Sequence, residues 1–218
     1  MSYLDHKKHF NIAYKTGTDT WSHPPTEKEG LKLIERLPKD ALILEIGSGR
    51  GFFARHLVSL GFRVIGVDFE EEIVRKANEN IKDWGMEGRL KFMEADVLDI
   101  PLVSESFDAV CDFGLLETLF KEDWEKYEKE VSRVLKPGGF YLNVSLSKET
   151  QTFFEFSPKK DGSDFEKYDI HYHFFTKEEM RSIFKNNFSL ISEEETIPEK
   201  REKGIILLET LFQKFPKQ

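Results

Sequence analysis

The stretch that decides the fold of this 218-residue chain is Leu42-Ile43-Leu44-Glu45-Ile46-Gly47-Ser48-Gly49-Arg50-Gly51-Phe52-Phe53. An apolar run of strand length ends in three glycines at alternate positions, and a new periodic segment begins at once. Glycine permits a left-handed backbone and lets a ligand approach the main chain. The stretch therefore predicts a buried strand, a tight turn and a helix whose unpaired N-terminal N–H groups face a nucleotide-like ligand.

From residue 41 onward, strand and helix patterns alternate. Strands are predicted at 41–46, 63–67, 90–94, 107–112 and 140–146, and helices near 51–60, 70–82 and 122–135. Strands separated in this way form right-handed crossovers and a parallel sheet. Two later β-rich runs, 188–195 and 205–212, are joined by a connection too short to cross over, so they are expected to pair antiparallel. The predicted fold class is α/β, a Rossmann-like, mostly parallel sheet with helices on both faces.

No repeat or Gly/Pro/Ser-rich linker divides the chain, so 1–218 is expected to be a single domain. We predict a helical cap at 1–37, with a capping box at Thr26-Glu27-Lys28-Glu29, and a ligand-binding core at 41–146. Residues 147–175 form an aromatic-rich insert. Residues 176–218 hold a helix, opened by a capping box at Thr176, and the antiparallel strand pair.

Composition narrows the class of partner. The net charge of −8 disfavours a nucleic-acid partner, because phosphate backbones are held by clusters of Lys and Arg. The single cysteine, Cys111, is expected to be a small buried hydrophobe. Neither a signal-peptide pattern nor an apolar run of membrane-spanning length is present, so we expect a cytoplasmic protein without membrane contact. The sequence does not indicate an oligomeric state.

Acidic residues end the second and third predicted strands. Asp68 can accept hydrogen bonds from both hydroxyls of a ribose, or it can cap the following helix. Asp96 is placed to accept from an exocyclic amine such as that of adenine, with the Val97 N–H donating to a ring nitrogen; its alternative role is to cap a loop. The glycine loop does not fit the dinucleotide fingerprint, because Phe52 stands where the last glycine is required. A purely structural glycine turn is the remaining alternative.

These residues resemble the class I S-adenosylmethionine-dependent methyltransferases. The similarity covers 41–146 through the loop Glu45-Ile46-Gly47-Ser48-Gly49-Arg50-Gly51, Asp68, Ala95-Asp96-Val97, the strand 107–112 and the turn Leu135-Lys136-Pro137-Gly138-Gly139-Phe140. It extends to the tail through the reversed seventh strand of that family. The resemblance implies a seven-stranded sheet of order 3-2-1-4-5-7-6 and S-adenosylmethionine as the cofactor.

The resemblance also implies roles for single residues. Glu45 would orient the glycine loop or meet the methionine amino group, and Asp68 would hold the ribose with Phe69 beside the adenine. Phe113 would lie near the sulfonium. The implied cofactor-binding set is Glu45, Gly47, Ser48, Gly49, Gly51, Asp68, Phe69, Asp96, Val97 and Phe113.

The acceptor is expected to be a small molecule. Asp112-Phe113-Gly114-Leu115 lacks the Pro-Pro motif of amino-directed nucleic-acid methyltransferases. The alternatives are an RNA or protein methyltransferase, a non-catalytic S-adenosylmethionine-binding protein and a nicotinamide-dependent oxidoreductase. Because methyl transfer needs mainly alignment and water exclusion, no catalytic triad is expected. The candidates for a general base are His173 and Glu117, and Glu117 has a structural role at a helix terminus as its alternative.

The aromatic residues of the insert and the cap are a candidate lid over the cofactor, or they pack the cap on the sheet. No metal is expected, because no Cys or carboxylate pattern accompanies His171 and His173. The aromatic set is Tyr3, Phe10, Tyr14, Trp21, Phe153, Phe154, Phe156, Phe165, Tyr168, Tyr172, Phe174 and Phe175.

Overall fold

The computed structural model describes residues 3–19, 31–198 and 203–217. The strands are β1 Leu42–Ile46, β2 Arg63–Asp68, β3 Leu90–Glu94, β4 Phe107–Phe113, β5 Leu135–Leu146, β6 Asp164–Lys167, β7 Ile170–His173, β8 Phe188–Thr196 and β9 Leu207–Lys214. The helices are α1 Tyr3–Thr16, α2 Leu31–Ile34, α3 Phe52–Ser59, α4 Glu71–Asp83, α5 Trp124–Val134, α6 Pro158–Asp161 and α7 Lys177–Phe184. Two short 3-10 turns, Leu116–Thr118 and Lys121–Asp123, lie between β4 and α5.

The main sheet has seven strands in the order β3-β2-β1-β4-β5-β9-β8. β1 to β5 pair in parallel, and β9 is antiparallel to both β5 and β8. Numbered within this sheet, the order is 3-2-1-4-5-7-6, so the predicted α/β fold and its reversed last strand are confirmed. The carboxyl ends of β1, β2 and β4 consequently meet at one edge, where open α/β sheets bind ligands.

The fifth strand begins at Leu135, earlier than the predicted 140. Phe107 pairs with Leu135 and Ala109 with Phe140, so the register between β4 and β5 shifts across the intervening residues. The Pro-Gly-Gly segment is accommodated as a bulge in an already paired strand, a use of glycine that a local pattern does not distinguish from a turn.

Helices cover both faces of the sheet because strand side chains alternate. Leu44 and Val110 face a cluster that includes residues of α5 and α7, whereas Ile43 and Ala109 face one with residues of α3 and α4. Cys111 is fully buried in this second cluster, as expected. None of the helices in the described ranges is long and apolar enough to cross a membrane.

The insert between β5 and α7 folds into α6 and a small antiparallel hairpin, β6–β7. Phe174 is fully buried in a third apolar cluster, against which Phe153, Phe156 and Phe165 pack. These four aromatic side chains therefore pack the insert on the sheet. Thr176 forms the predicted capping box with Glu179 at the start of α7. The predicted capping box at 26–29 and Trp21 lie outside the described residues.

Candidate functional site

The glycine loop after β1 turns beneath the carboxyl edge of the sheet. Gly47 has a φ of 71°, and a side chain built on it would approach Leu115 Cδ1 to 2.6 Å. Only glycine fits this position, since the backbone is left-handed and the neighbouring side chain leaves no room. The Ser48 N–H donates to the Val67 carbonyl at 2.9 Å, which fixes the loop against β2.

Asp68 connects that loop to the next helix. Its carboxylate accepts from the Gly49 N–H at 2.9 Å and from the Glu70 N–H at 3.0 Å. Burial raises the pKa of Asp68 to about 6, although these backbone donors favour the charged form. Asp68 is not the N-cap of α4, because the N-cap residue is Glu70 and no side chain caps that helix. Since each carboxylate oxygen can accept more than one hydrogen bond, these two bonds leave acceptor capacity on Asp68. Asp68 also lines a cavity at the carboxyl edge of the sheet.

This cofactor cavity, as we call it, has a volume of about 650 Å³ when the space open to solvent is counted with it. It unites eight of the residues selected from the sequence. They are the cofactor and base candidates Gly47, Asp68, Phe69, Phe113 and Glu117 and the candidate lid residues Phe10, Tyr14 and Tyr172. Gly114, Leu115 and Thr118 also line it, and sequence reasoning missed all three.

The N-terminal helix α1 covers one side of the cofactor cavity. Phe10 and Tyr14 of α1 line it, and a side chain at Gly49 would stand 3.0 Å from the Tyr14 hydroxyl. Arg50 of the glycine loop donates to both carboxylate oxygens of the buried Asp19, at 2.6 and 2.7 Å. This bidentate pair ties the loop to the chain segment that follows α1.

Four of the predicted cofactor residues lie in or under the loop without lining the cavity. The Ala54 N–H in α3 donates to the buried Glu45 carboxylate, whose Oε2 has no hydrogen-bond partner among the described residues. Burial raises the pKa of Glu45 well above its ordinary value. Ser48 is buried, and its Oγ has no partner among the described residues either. Gly49 and Gly51 complete the turn before α3.

The predicted adenine-reading pair lies beyond the cavity lining. Asp96 is exposed, and its Oδ1 accepts from the Leu98 N–H at 2.8 Å, so its side chain takes the alternative, loop-capping role. Val97 is buried in the core. Phe69, from the neighbouring strand end, is the predicted adenine contact that does reach the cavity.

The two candidates for a general base lie in different surroundings. Glu117 lines the cavity, and its Oε2 accepts from the Leu146 N–H at 2.5 Å, so it also joins the turn after β4 to the end of β5. His173 Nδ1 lies 2.8 Å from Asp164 Oδ1, and its ring packs on Trp124. Because side chains alternate along β7, Tyr172 lines the cavity and His173 does not.

Asp112 is a buried acid that sequence reasoning did not select as a site residue. It accepts from the Tyr127 hydroxyl at 2.5 Å and from the N–H groups of Leu115 and Leu116 at 2.8 and 3.0 Å. Burial raises the pKa of Asp112 to about 6. Its carboxylate holds the turn that carries Glu117, and the signal in the sequence was an acid inside an apolar strand. Across the described residues, no cluster of His, Cys, Asp or Glu is suited to a metal.

Comparison with known proteins finds similarity to methyltransferases. Residues 43–139 match a family model described as a methyltransferase domain. The fold matches a Burkholderia thailandensis 1,6-didemethyltoxoflavin-N1-methyltransferase solved with bound 1,6-didemethyltoxoflavin and S-adenosylhomocysteine. That match has a TM-score of 0.77 at 20% identity, over 96% of this chain and 87% of the other. Residues 43–139 are thus similar in sequence to methyltransferase domains, and the chain has the fold of solved S-adenosylmethionine-dependent methyltransferases. The cofactor of those proteins is S-adenosylmethionine.

Curated members of the methyltransferase family differ in their named substrates. A ubiquinone/menaquinone biosynthesis C-methyltransferase UbiE of Pseudomonas fluorescens is 33% identical over 134 residues, which are 60% of this chain and 49% of that protein. The human EEF1A lysine methyltransferase 2 is 26% identical over 72% of this chain and 58% of its own length. The chain thus spans about half the length of these relatives.

Proposed function

We propose that this protein transfers the methyl group of S-adenosylmethionine to a small-molecule acceptor. The observation that carries the proposal is the cofactor cavity, which lies at the sheet edge beneath the aromatic side chains of α1 and β7. A cleft of this kind suits a small molecule. The net charge of −8 argues against an RNA or DNA acceptor.

The residues present fit the cofactor. Two buried polar atoms, Ser48 Oγ and Glu45 Oε2, have no partner among the described residues, and buried groups of this kind ordinarily meet a ligand or water. We assign the ribose hydroxyls to Asp68 and the adenine to Phe69. The adenine edge is assigned to Asp96 and Val97 in the same proposal, since a carboxylate keeps acceptor capacity beyond the bond from the Leu98 N–H to Asp96 Oδ1.

When bound, S-adenosylmethionine would supply a methyl group on a sulfonium, and the electron pair of the broken carbon–sulfur bond would leave with a neutral thioether as the acceptor takes the methyl group. The protein aligns these atoms and excludes water with Phe113 and Tyr172. Glu117 is the carboxylate of the cavity beside the turn after β4, and we assign it the proton that an N–H or O–H acceptor loses.

Two measurements test the proposal. Titration calorimetry is expected to detect binding of S-adenosylhomocysteine and not of NAD, and Asp68→Ala is expected to weaken that binding at least about tenfold through loss of charged hydrogen bonds. Glu71→Ala is the matched control, because Glu71 is an exposed acid in the first turn of the adjoining helix. Normal cofactor binding by the Asp68 variant would contradict the assignment.

Transfer of labelled methyl groups, screened over metabolites, RNA and proteins, then identifies the acceptor. A labelled metabolite supports the proposal. A labelled protein would instead favour the lysine-directed activity named for the human relative. Tight cofactor binding with no labelled product would favour a non-catalytic binding protein. The predicted cytoplasmic location stays a prediction.

A further inference from the structure

A second cavity adjoins the cofactor cavity and shares one wall with it. Its volume is about 690 Å³, and it lies between α1 and the β6–β7 hairpin. Tyr172 lines both cavities and is 7% exposed. Its side chain therefore stands as a partition between the two spaces. Most of the second cavity is apolar, with walls formed by Ile12, Ala13, Phe154, Tyr168, Ile170 and Tyr172.

The partition lies close to the carboxylate that we assigned to proton transfer. Burial raises the pKa of the Tyr172 phenol, and the negative charge of Glu117 raises it further. A molecule that occupies the second cavity and extends past Tyr172 therefore arrives at Glu117.

The backbone that carries the outer wall is strained. Phe154 and Tyr168 have φ values of 47° and 53°, in the left-handed region that aromatic residues rarely adopt. Tyr168 and Asp169 form the two-residue turn of the hairpin, where Asn-Gly is the usual choice. Backbone strain of this kind concentrates at ligand-binding sites. Here it sets two aromatic rings at one cavity, with the centroids of Phe154 and Tyr168 6.2 Å apart.

Polar groups lie at the edge of this cavity. His9 Nδ1 on α1 lies 3.3 Å from Asp169 Oδ2 in the turn. Lys167 Nζ of β6 lies 5.5 Å from the ring centroid of Phe154 and 5.1 Å from that of Tyr168. Aromatic and aliphatic walls with polar groups at the edge suit a flat, mainly apolar molecule.

We propose that this second cavity holds the body of the methyl acceptor, and that the acceptor is a flat, mainly apolar ring compound whose N–H or O–H extends past Tyr172 to Glu117. Ile12 and Tyr168 then determine which ring systems enter. This inference rests on the proposed function, since it needs the cofactor in the neighbouring cavity.

The test uses 2-naphthol, a neutral fused-ring compound with one O–H, in equilibrium dialysis against the full chain saturated with S-adenosylhomocysteine. One molecule is expected to bind per chain. Ile12→Trp fills the cavity from an exposed helix position, 56% accessible, and is expected to weaken binding at least about tenfold by steric exclusion. Tyr168→Ala removes a ring that is 72% accessible, and this variant is expected to bind 2-naphthol about threefold to tenfold more weakly because a ring contact is lost. Val103→Trp is the matched control, an exposed aliphatic position before β4, and is expected to change nothing.

Calorimetry with S-adenosylhomocysteine distinguishes failure of this inference from failure of the proposed function. Equal cofactor affinity in all four proteins, with 2-naphthol affinity lost only in the two cavity variants, supports the inference. Equal cofactor affinity with unchanged or undetectable 2-naphthol binding overturns the inference and leaves the proposed function intact. Absence of S-adenosylhomocysteine binding by the unaltered chain overturns both. Once the acceptor is known, Ile12→Trp is expected to raise its KM and to leave kcat within about twofold, because a filled cavity impairs uniform binding.

Discussion

Replacing Gly51 by alanine is expected to lower the free energy of unfolding by about 2 to 5 kcal/mol, as the sum of two separable costs. The first is backbone strain, since Gly51 has a φ of +78°. The second is a steric overlap, since the new Cβ would lie 2.3 Å from Cζ of Phe92, whose ring is buried in the core. A left-handed alanine costs about 1 to 2 kcal/mol, and overpacking adds about 1 to 3 kcal/mol.

The chain offers a control for each cost. Gly88 has a φ of +77°, and a Cβ added there would have no atom within 4 Å, so Gly88→Ala carries the strain alone. Gly66 has no left-handed φ, yet its Cβ would lie 2.5 Å from Phe92 Cδ1 and 2.9 Å from Ser48 Cβ, so Gly66→Ala carries overlap without the strain. The loss at Gly51 is therefore expected to exceed the loss at Gly88 and to stay at or below the sum of the losses at Gly88 and Gly66.

Urea unfolding followed by far-ultraviolet circular dichroism measures these differences. For a chain of this size, about 1 kcal/mol corresponds to a Tm shift of about 2 to 4 °C, so thermal melts check the same ranking. Phe92→Leu in the Gly51→Ala background is expected to recover part of the loss, as a favourable coupling energy in a double-mutant cycle. Equal losses for the Gly51 and Gly88 variants, or no coupling to Phe92, would refute the reasoning.

Three further predictions concern the pH dependence of the two buried acids and the start of α7. Protonation of Asp68, whose pKa is raised to about 6, would remove the acceptor that we assign to the ribose, so affinity for S-adenosylhomocysteine is expected to fall about tenfold between about pH 7 and pH 5. Asp68→Asn should abolish this dependence in calorimetry, and a constant Kd in the unaltered protein would contradict it. Asp112 has a folded-state pKa of about 6 against an ordinary 3.8. Its contribution to the free energy of unfolding is therefore complete below about pH 4. As pH rises to about 6 this contribution is lost, which lowers the free energy of unfolding by about 3 kcal/mol. Tyr127→Phe removes a hydrogen bond to the charged form of Asp112. It should therefore lower the free energy of unfolding by about 1 to 3 kcal/mol near pH 7 and by less near pH 4, as measured by urea unfolding at both pH values. Thr176→Ala is expected to cost about 1 kcal/mol in thermal unfolding, whereas Thr176→Ser keeps the hydroxyl cap and should cost only a few tenths.

Local patterns were sufficient for most elements of this fold. The apolar run before Gly47 predicted β1, and the hydroxyl–glutamate spacing at Thr176 predicted the start of α7. The short link before β9 predicted an antiparallel pair, because a parallel crossover needs a longer connection. The pattern failed at the start of β5, where pairing with β4 overrides the turn preference of Pro-Gly-Gly.

Some residues of the candidate site could likewise be predicted from the sequence, and others could not. Gly47 and Asp68 could be selected from the sequence because each ends a strand at the carboxyl edge, and the topology brings such ends together. That Tyr172 lines the cavity and His173 does not could not be predicted in this way, because it depends on which face of the short strand β7 meets α1. Asp112 was passed over, since its partners Tyr127, Leu115 and Leu116 become neighbours only when α5 packs on the sheet.

The sequence by itself determined the alternation of strands and helices and the antiparallel pair at the end of the sheet, because these depend on periodicity and on connection length. Its resemblance to the class I S-adenosylmethionine-dependent methyltransferases implied the strand order and the cofactor. The tertiary structure alone decided which aromatic residues pack the insert and which, such as Tyr172, divide two cavities. The physical reason is that those cavities lie between α1 and a hairpin that are more than a hundred residues apart in the chain. No local pattern specifies a contact of that range.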